Sequence, residues 1–184
     1  MRPALLTLLT AALSLAQSLS GDALVQALQK GGYIIAMRHT SSPNSVPAGA
    51  TERQLDAEGR AAATTMGAAL RALKIPVSEV LSSPTQRAMD TARVAQWPAP
   101  VATPELGDNG QSMSGGTPAQ AAWLKNRVTQ SPKTGNVILI THSPNLREAF
   151  PQATNVADGE ALIFSPQGTL VARVKSDEWK TLQH

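Results

Sequence analysis

The chain has 184 residues, of which 42% are hydrophobic and 16% are charged, and its formal net charge is +3. This apolar content is enough to bury a core and the length suits one domain, so the composition excludes a disordered polymer. The isoelectric point is about 9.6, but the basic residues form no run, which argues against nucleic acid as a partner. The absence of cysteine excludes disulfides, thiol catalysis and cysteine-bound metals, and three histidines leave little for a histidine-rich metal site.

The N-terminal residues 1–18 have the pattern of a secretory signal peptide. Arg2 precedes an apolar run from Ala4 to Ala16, and small residues follow at a spacing that suits cleavage. The run is shorter than the roughly 20 residues that span a bilayer, and an uncleaved anchor or a disordered leader is the alternative. We therefore expect a signal peptide over 1–18, a single domain over 19–184, and a bacterial protein that is periplasmic or secreted and has no transmembrane span after signal removal.

The remainder of the chain alternates predicted helices and strands. Helices are expected at Asp22–Lys30, from Asp56 as N-cap to Leu73, from Ser83 as N-cap and Pro84 to Gln96, from Thr117 to Thr129, and from Ser143. Strands are expected at Tyr33–Met37, Val80–Leu81, Val137–Ile140, Ala161–Phe164 and Leu170–Val174, the last two as a hairpin. This alternation predicts an α/β fold of three layers, with a doubly wound, mostly parallel sheet and helices on both faces.

Three predicted strands end in polar clusters, at Arg38-His39-Thr40, Ser82-Ser83-Pro84 and Thr141-His142-Ser143. Ligands of open α/β sheets bind beyond the carboxyl ends of the strands, and helix N-termini at that edge favour an anion. Arg87 lies in the first turn of the helix expected after Pro84. Two arginines and two histidines at this edge predict a phosphate pocket, since arginine binds oxyanions bidentately and imidazole can act as a nucleophile.

Each of these residues alone also has a structural interpretation. A histidine at a strand end is more often a packing residue than a catalyst, and a single arginine is often a solvated cation. The prediction therefore rests on the combination of four such residues at three strand ends. Four other arginines are expected on solvated helix faces or loops: Arg53, Arg60, Arg71 and Arg93.

At these positions the chain resembles the histidine phosphatase superfamily, also called phosphoglycerate mutase-like. Its motifs are matched by Arg38-His39, by Leu55-x-x-x-Gly59-Arg60, by Ser82-Ser83-Pro84-x-x-Arg87-Ala88-x-x-Thr91-Ala92 and by Thr141-His142-Ser143-Pro144-Asn145. The resemblance covers about residues 33–174. It implies that His39 attacks the phosphoryl group, that Arg38, Arg87 and His142 hold the phosphate oxygens, and that neither a metal nor another cofactor is needed.

Departures from the family pattern concern the groups around the phosphate. Thr40 stands where the family usually has glycine and could donate a hydrogen bond, and Ser42 lies where many relatives contact the phosphate. With Ser143, these two residues are the expected substrate-binding residues. Ser143 replaces the aspartate that the acid phosphatase and phytase branch has beside its second histidine, which places the chain outside that branch. The proton donor of the other branch is best matched by Asp108, with Glu160 as the alternative; as an exposed turn residue, Asp108 would have no catalytic function.

The leading hypothesis is thus an exported phosphomonoesterase that acts on a phosphorylated small molecule or envelope sugar. One alternative is a non-catalytic module that binds a phosphate or a partner with the same fold. A phosphomutase is the other, although mutases of this family carry longer insertions over the pocket, for which this chain has little room.

Overall fold

The computed structural model describes residues 18–108 and 116–183 and has a six-stranded sheet at its centre. The strands are β1 (Ile34–Arg38), β2 (Val77–Ser82), β3 (Val101–Ala102), β4 (Asn136–Thr141), β5 (Ala161–Phe164) and β6 (Leu170–Val174). The α-helices are α1 (Gly21–Lys30), α2 (Ala57–Ala72), α3 (Gln86–Ala95), α4 (Pro118–Arg127) and α5 (Ser143–Ala149). Two short 3-10 helices cover Pro104–Leu106 and Trp179–Gln183. The signal peptide prediction falls almost entirely on residues outside the described part.

The sheet has the strand order β3-β2-β4-β1-β5-β6, and β5 alone runs opposite to the other five strands. Ile35 and Met37 face one apolar core, which α1, α2 and α3 cover, whereas Ile34 and Ala36 face a second core under α4 and α5. Because both faces are covered, β1 and β4 have near-continuous apolar sequences rather than alternating ones. The predicted three-layer, mostly parallel α/β fold is confirmed.

The crevice of this fold lies between the ends of β1 and β4, which pair in parallel with Arg38 opposite Thr141. From β1 the chain passes through α2 and returns as β2 beyond β4; from β4 it passes through α5 and returns as β5 beyond β1. The two connections therefore diverge between β1 and β4. In open α/β sheets this divergence opens a ligand-binding crevice at the carboxyl ends of the strands.

Most predicted elements are present, but the expected start of α3 is wrong. Ser83 is not its N-cap, because the Ser83 N–H still pairs with the strand carbonyl of Ile140 at 2.8 Å. The chain leaves the sheet only after that bond, so the helix begins at Gln86 with Thr85 in the N-cap position. Strand β3 and the 3-10 helices were not predicted. Within the described ranges, no helix combines the length and apolar character needed to span a membrane.

Candidate active site

Three of the predicted site residues meet at the carboxyl edge of the sheet. His39 follows β1, Arg87 lies in the first turn of α3, and His142 joins β4 to α5. Their exposed fractions are 4%, 3% and 4%, and the two imidazole rings stand edge to face with centroids 5.2 Å apart. The strand ends thus bring two histidines and one arginine into a single buried cluster.

The hydrogen bonds of His39 determine which ring nitrogen carries the proton. Nδ1 lies 2.7 Å from the carbonyl oxygen of Thr40, which can only accept, so Nδ1 is the donor. Nε2 accepts a hydrogen bond from Nε of Arg87 at 3.1 Å. The neutral ring is therefore unprotonated at Nε2. The lone pair of this atom points at the guanidinium group, where a phosphoryl group would be held.

His142 has the opposite tautomer. Its Nδ1 accepts from Nη2 of Arg87 at 3.3 Å, and its Nε2–H donates to Oγ of Ser83 at 2.8 Å. Ser83, which the sequence suggested only as a helix cap, thus orients the second imidazole. The Nδ1 atom of His142 faces the same guanidinium group as Nε2 of His39.

Burial and positive charge keep both histidines neutral. Burial is the largest cause that lowers the pKa of His39 well below its ordinary value, and the charges of His142, Arg87 and Arg38 lower it further. Burial and the charge of Arg87 lower the pKa of His142 to about 4. Near pH 7 the Nε2 atom of His39 is consequently unprotonated.

The depressed pKa of His142 predicts acid sensitivity of the fold. The unfolded chain takes up a proton on this histidine below about pH 6.5, whereas the folded chain does so only near pH 4. The free energy of unfolding should therefore fall as the pH drops through this window, by up to about 3 kcal/mol from His142. Urea unfolding of wild type and His142→Asn between pH 7 and 4 measures it. Equal slopes in the two proteins would contradict the prediction.

Asp108 also joins the cluster. Its Oδ2 lies 2.5 Å from Nη2 of Arg87, and the side chains of Arg87 and Asp108 are 4% and 10% exposed. The alternative that Asp108 is an exposed turn residue, without a contact in the site, is therefore wrong. This carboxylate is in direct contact with the arginine that touches both histidines.

Side chains of the second core hold the segment that carries Asp108. Thr141 Oγ1 donates to the carbonyl oxygen of Leu106 at 2.8 Å, while Asn145 Nδ2 and Gln120 Nε2 each donate to that of Gly107 at 2.8 Å. All three side chains are buried. These hydrogen bonds were not predicted from the sequence, although Asn145 lies in the motif that contains His142.

Arg38 lies at the rim of the cluster and is about one third exposed. It forms an ion pair with Asp158 at 2.8 Å, and Nη1 donates to the carbonyl oxygen of Val156 at 3.3 Å. Its charge still lowers the pKa of both histidines. Asp158, which the sequence analysis did not single out, therefore orients the second predicted phosphate ligand.

Glu160, the alternative proton donor, has both carboxylate oxygens engaged elsewhere. Oε1 accepts from Nε of Arg173 at 2.8 Å, and Oε2 accepts from the backbone N–H of Ala157 at 2.8 Å. The side chain is buried, and these contacts stabilise the chain before β5. Glu160 is thus a structural carboxylate in this arrangement, and Asp108 is the candidate that contacts the arginine between the histidines.

The smaller predicted contacts differ among themselves. Thr40 is fully buried, and its Oγ1 and backbone N–H each lie 3.2 Å from Oγ1 of Thr91. Its hydroxyl thus packs against α3, and the structure does not support a substrate contact. Ser42 and Ser143 are half-buried at the starts of the β1–α2 loop and of α5. Their contact with phosphate stays a prediction.

A cavity of about 600 Å³ opens beside the cluster, with Arg87 and Asp108 in its lining. Its other walls come from the β1–α2 loop and from the residues that precede α3 and Asp108, namely Val46, Thr51, Glu52, Arg53, Pro84, Thr85, Pro104 and Gly107. Arg53 lies on a loop and is partly exposed, as expected, but it also lines this cavity because the loop folds back over the sheet edge.

Comparisons with known proteins identify similar sequences and folds. Residues 34–108 match the model of the histidine phosphatase superfamily (branch 1). No curated protein matches the sequence. The protein histidine phosphatase SixA in complex with tungstate is 18% identical, covers 79% of this chain and 98% of its own, and superposes with a TM-score of 0.59.

Two further solved structures have the same fold. A protein from Thermus thermophilus is 20% identical, with a TM-score of 0.54 over 78% of this chain and 99% of its own. A protein provisionally named phosphohistidine phosphatase SixA, from Agrobacterium tumefaciens, is 16% identical, with a TM-score of 0.54 over 78% of this chain and 97% of its own. The chain thus has the histidine phosphatase fold, and its residues 34–108 are similar to branch 1 of the histidine phosphatase superfamily.

Proposed function

We propose that the protein is a metal-independent phosphatase that hydrolyses phosphomonoesters through a phosphohistidine intermediate on His39. The observation that carries this proposal is the unprotonated Nε2 of His39, which faces the Arg87 guanidinium group inside a buried cluster. Mere binding of phosphate requires no neutral imidazole with its lone pair at the anion. The match to the superfamily model supports the same activity class.

The proposed reaction has two transfers. Nε2 of His39 attacks phosphorus, an N–P bond forms, and the ester P–O bond breaks with its electron pair on the leaving oxygen. Water then attacks the phosphohistidine and releases inorganic phosphate, which returns the lone pair to His39. Arg38 and Arg87 stabilise charge on the equatorial oxygens, which is the main requirement of phosphoryl transfer. His142 joins them when it takes up a proton at Nδ1, because its other N–H is bonded to Ser83, and the negative charge of the bound phosphoryl group favours that proton.

Asp108 is the proposed proton donor for the leaving oxygen. In the ligand-free site it is paired with Arg87, and phosphoryl oxygens would compete for the same guanidinium group. A carboxyl group released next to an anion holds a proton more readily, because the negative charges repel each other. The site would then present an acid to the leaving group, and the resulting carboxylate would take the proton that the attacking water loses in the second transfer.

Turnover of p-nitrophenyl phosphate across pH 4 to 8, with a chelator present, tests the proposal. A phosphatase releases inorganic phosphate under these conditions, and a non-catalytic module binds phosphate without releasing any product. Given a sugar phosphate with a labelled phosphoryl group, a phosphomutase would move that group between two positions of the sugar and release little inorganic phosphate. Absence of turnover throughout that range would contradict the proposed activity.

We propose a phosphorylated small molecule or envelope sugar as the substrate class. A second candidate is a phosphoramidate such as phosphohistidine, because the solved relative in complex with tungstate is a protein histidine phosphatase. The Arg87–Asp108 ion pair favours this candidate if it persists during the reaction, since an ionised carboxylate donates no proton. The two substrate classes differ in their need for a proton donor, so the effect of Asp108→Asn on turnover distinguishes them.

Export is also part of the proposal, together with the division into a signal peptide over 1–18 and one domain over 19–184. The N–H of Leu19 donates to the carbonyl oxygen of Val171 at 2.7 Å, so the folded part begins close to the expected cleavage site. We expect the mature protein in the native host to begin between Gln17 and Gly21, and this contact favours a start no later than Leu19. Intact mass spectrometry of the envelope fraction measures it, and retention of Met1 would contradict export with cleavage.

A further inference from the structure

We propose that Arg53 binds a second anionic group, a carboxylate or a phosphate, on the leaving-group side of the substrate. This inference rests on the proposed phosphatase activity and adds a specificity determinant to it. Arg53 lies in the loop between β1 and α2, in the wall of the cavity that Arg87 and Asp108 also line.

Arg53 is the one of three arginines near this cavity that lacks a carboxylate partner among the described residues. Arg38 is paired with Asp158 at 2.8 Å, and Arg87 with Asp108 at 2.5 Å. The guanidinium group of Arg53 makes a single hydrogen bond within the described ranges, from Nη1 to Oδ1 of Asn44 at 3.3 Å. Its Nε is buried without a partner there. A buried donor without an acceptor is unfavourable, so an acceptor on the ligand would stabilise this position.

The charges around Arg53 also favour an anion. Burial lowers the pKa of Arg53 most and the positive charge of Arg87 lowers it further, whereas the carboxylates already paired with the other two arginines raise it; arginine stays protonated. Glu52 contributes a carboxylate to the same wall, but its Oε2 accepts from the backbone N–H of Gln86 at 2.8 Å. An anionic group on the substrate would relieve the repulsion between the guanidinium groups.

In-line transfer places this anionic group on the leaving group. The nucleophile and the leaving oxygen lie on opposite sides of phosphorus. Because His39 approaches from the buried cluster, the leaving group must project towards the open cavity, where Arg53 stands. The transferred phosphoryl group is already served by Arg38, Arg87 and His142. Arg53 is therefore available for the remainder of the substrate.

The test compares Arg53→Gln with wild type on two aryl phosphates, 4-carboxyphenyl phosphate and 4-carbamoylphenyl phosphate. The two substrates have similar shapes and differ in one negative charge. We expect Arg53→Gln to raise KM for the carboxylate about tenfold or more, with little change for the carboxamide, because a charge-assisted hydrogen bond is lost. Arg60→Gln is the matched control, since Arg60 is exposed on α2. Arg53→Lys should restore part of the loss.

Two results would overturn the inference. An equal loss on both substrates would mean that Arg53 holds the transferred phosphoryl group, and no loss on either would mean that it binds no part of the substrate. Calorimetric binding of pyrophosphate and of inorganic phosphate separates this inference from the proposed activity. Arg53→Gln should lower the affinity for pyrophosphate about tenfold and should change the affinity for inorganic phosphate little. If that holds while wild type turns over no ester, the phosphatase proposal fails and the anion subsite stands.

Discussion

His39→Ala is expected to lower the turnover of p-nitrophenyl phosphate by several orders of magnitude, because no other group in the cluster can take over nucleophilic attack. Arg87 can only donate. In the proposed reaction Nδ1 of His142 carries the proton that it directs at an equatorial oxygen, so this ring has no lone pair with which to attack phosphorus. Rapid quenching of wild type with labelled substrate should trap phosphate that is labile in acid and stable in base. The variant should trap none.

A loss of folding must be separated from a loss of chemistry in this experiment. The imidazole of His39 is buried, but its bonds reach only Arg87 and the backbone of Thr40, so the sheet should remain intact. Circular dichroism and calorimetric binding of inorganic phosphate are the controls, since Arg38 and Arg87 are still present. A folded variant that retains more than a tenth of the wild-type rate would exclude the covalent mechanism.

Asp108→Asn is expected to lower kcat on an alkyl phosphate by about 10² to 10⁴ and to have far less effect on an aryl phosphate. An alkoxide leaving group needs a proton, whereas nitrophenolate is stable without one. The substitution also removes the ion pair with Arg87, and that loss affects both substrates equally. The dependence on the leaving group is therefore the property that identifies the acid.

Glu160→Gln is the matched control, because it removes a carboxylate whose partner is Arg173. It should weaken stability without changing the ratio of alkyl to aryl turnover. A leaving-group-dependent loss in Glu160→Gln, with none in Asp108→Asn, would reverse our assignment. If neither variant shows it, the enzyme handles leaving groups that need no acid from the protein, as phosphoramidates and phosphoanhydrides do.

The sheet and its catalytic edge could be predicted from sequence because their signals are local. Buried parallel strands leave runs such as Ile34–Met37 and Val137–Ile140, and a strand end followed by a polar cluster marks the edge. The positions of His39 and His142 follow from the parallel order of β1 and β4, and that of Arg87 from the first turn of the helix after β2. Asp56 was predicted as the N-cap of α2 from the same kind of local signal, and its side chain accepts from the N–H of Gly59 at 2.7 Å.

The supporting contacts could not be predicted, because they join residues far apart in the chain. Ser83 orients His142 across 59 positions, and nothing in Ser-Pro distinguishes that role from a helix cap. Asn145 holds Gly107 across 38 positions. Arg53 resembles any loop arginine until the β1–α2 loop is folded. Each of these contacts depends on how two elements dock, and no short sequence window contains that information.

Asn145 has a consequence for how this fold tolerates insertions. Its side chain holds the carbonyl oxygen of Gly107, and a Cβ at Gly116 would lie 2.8 Å from its Cα, so both ends of the intervening segment rest on one residue. When the ends are held together by the rest of the protein, doubling the length of a loop costs only about 0.6 kcal/mol of closure entropy. Insertions between Asp108 and Gly116 should therefore cost the protein little stability and leave Asp108 and the histidines in place.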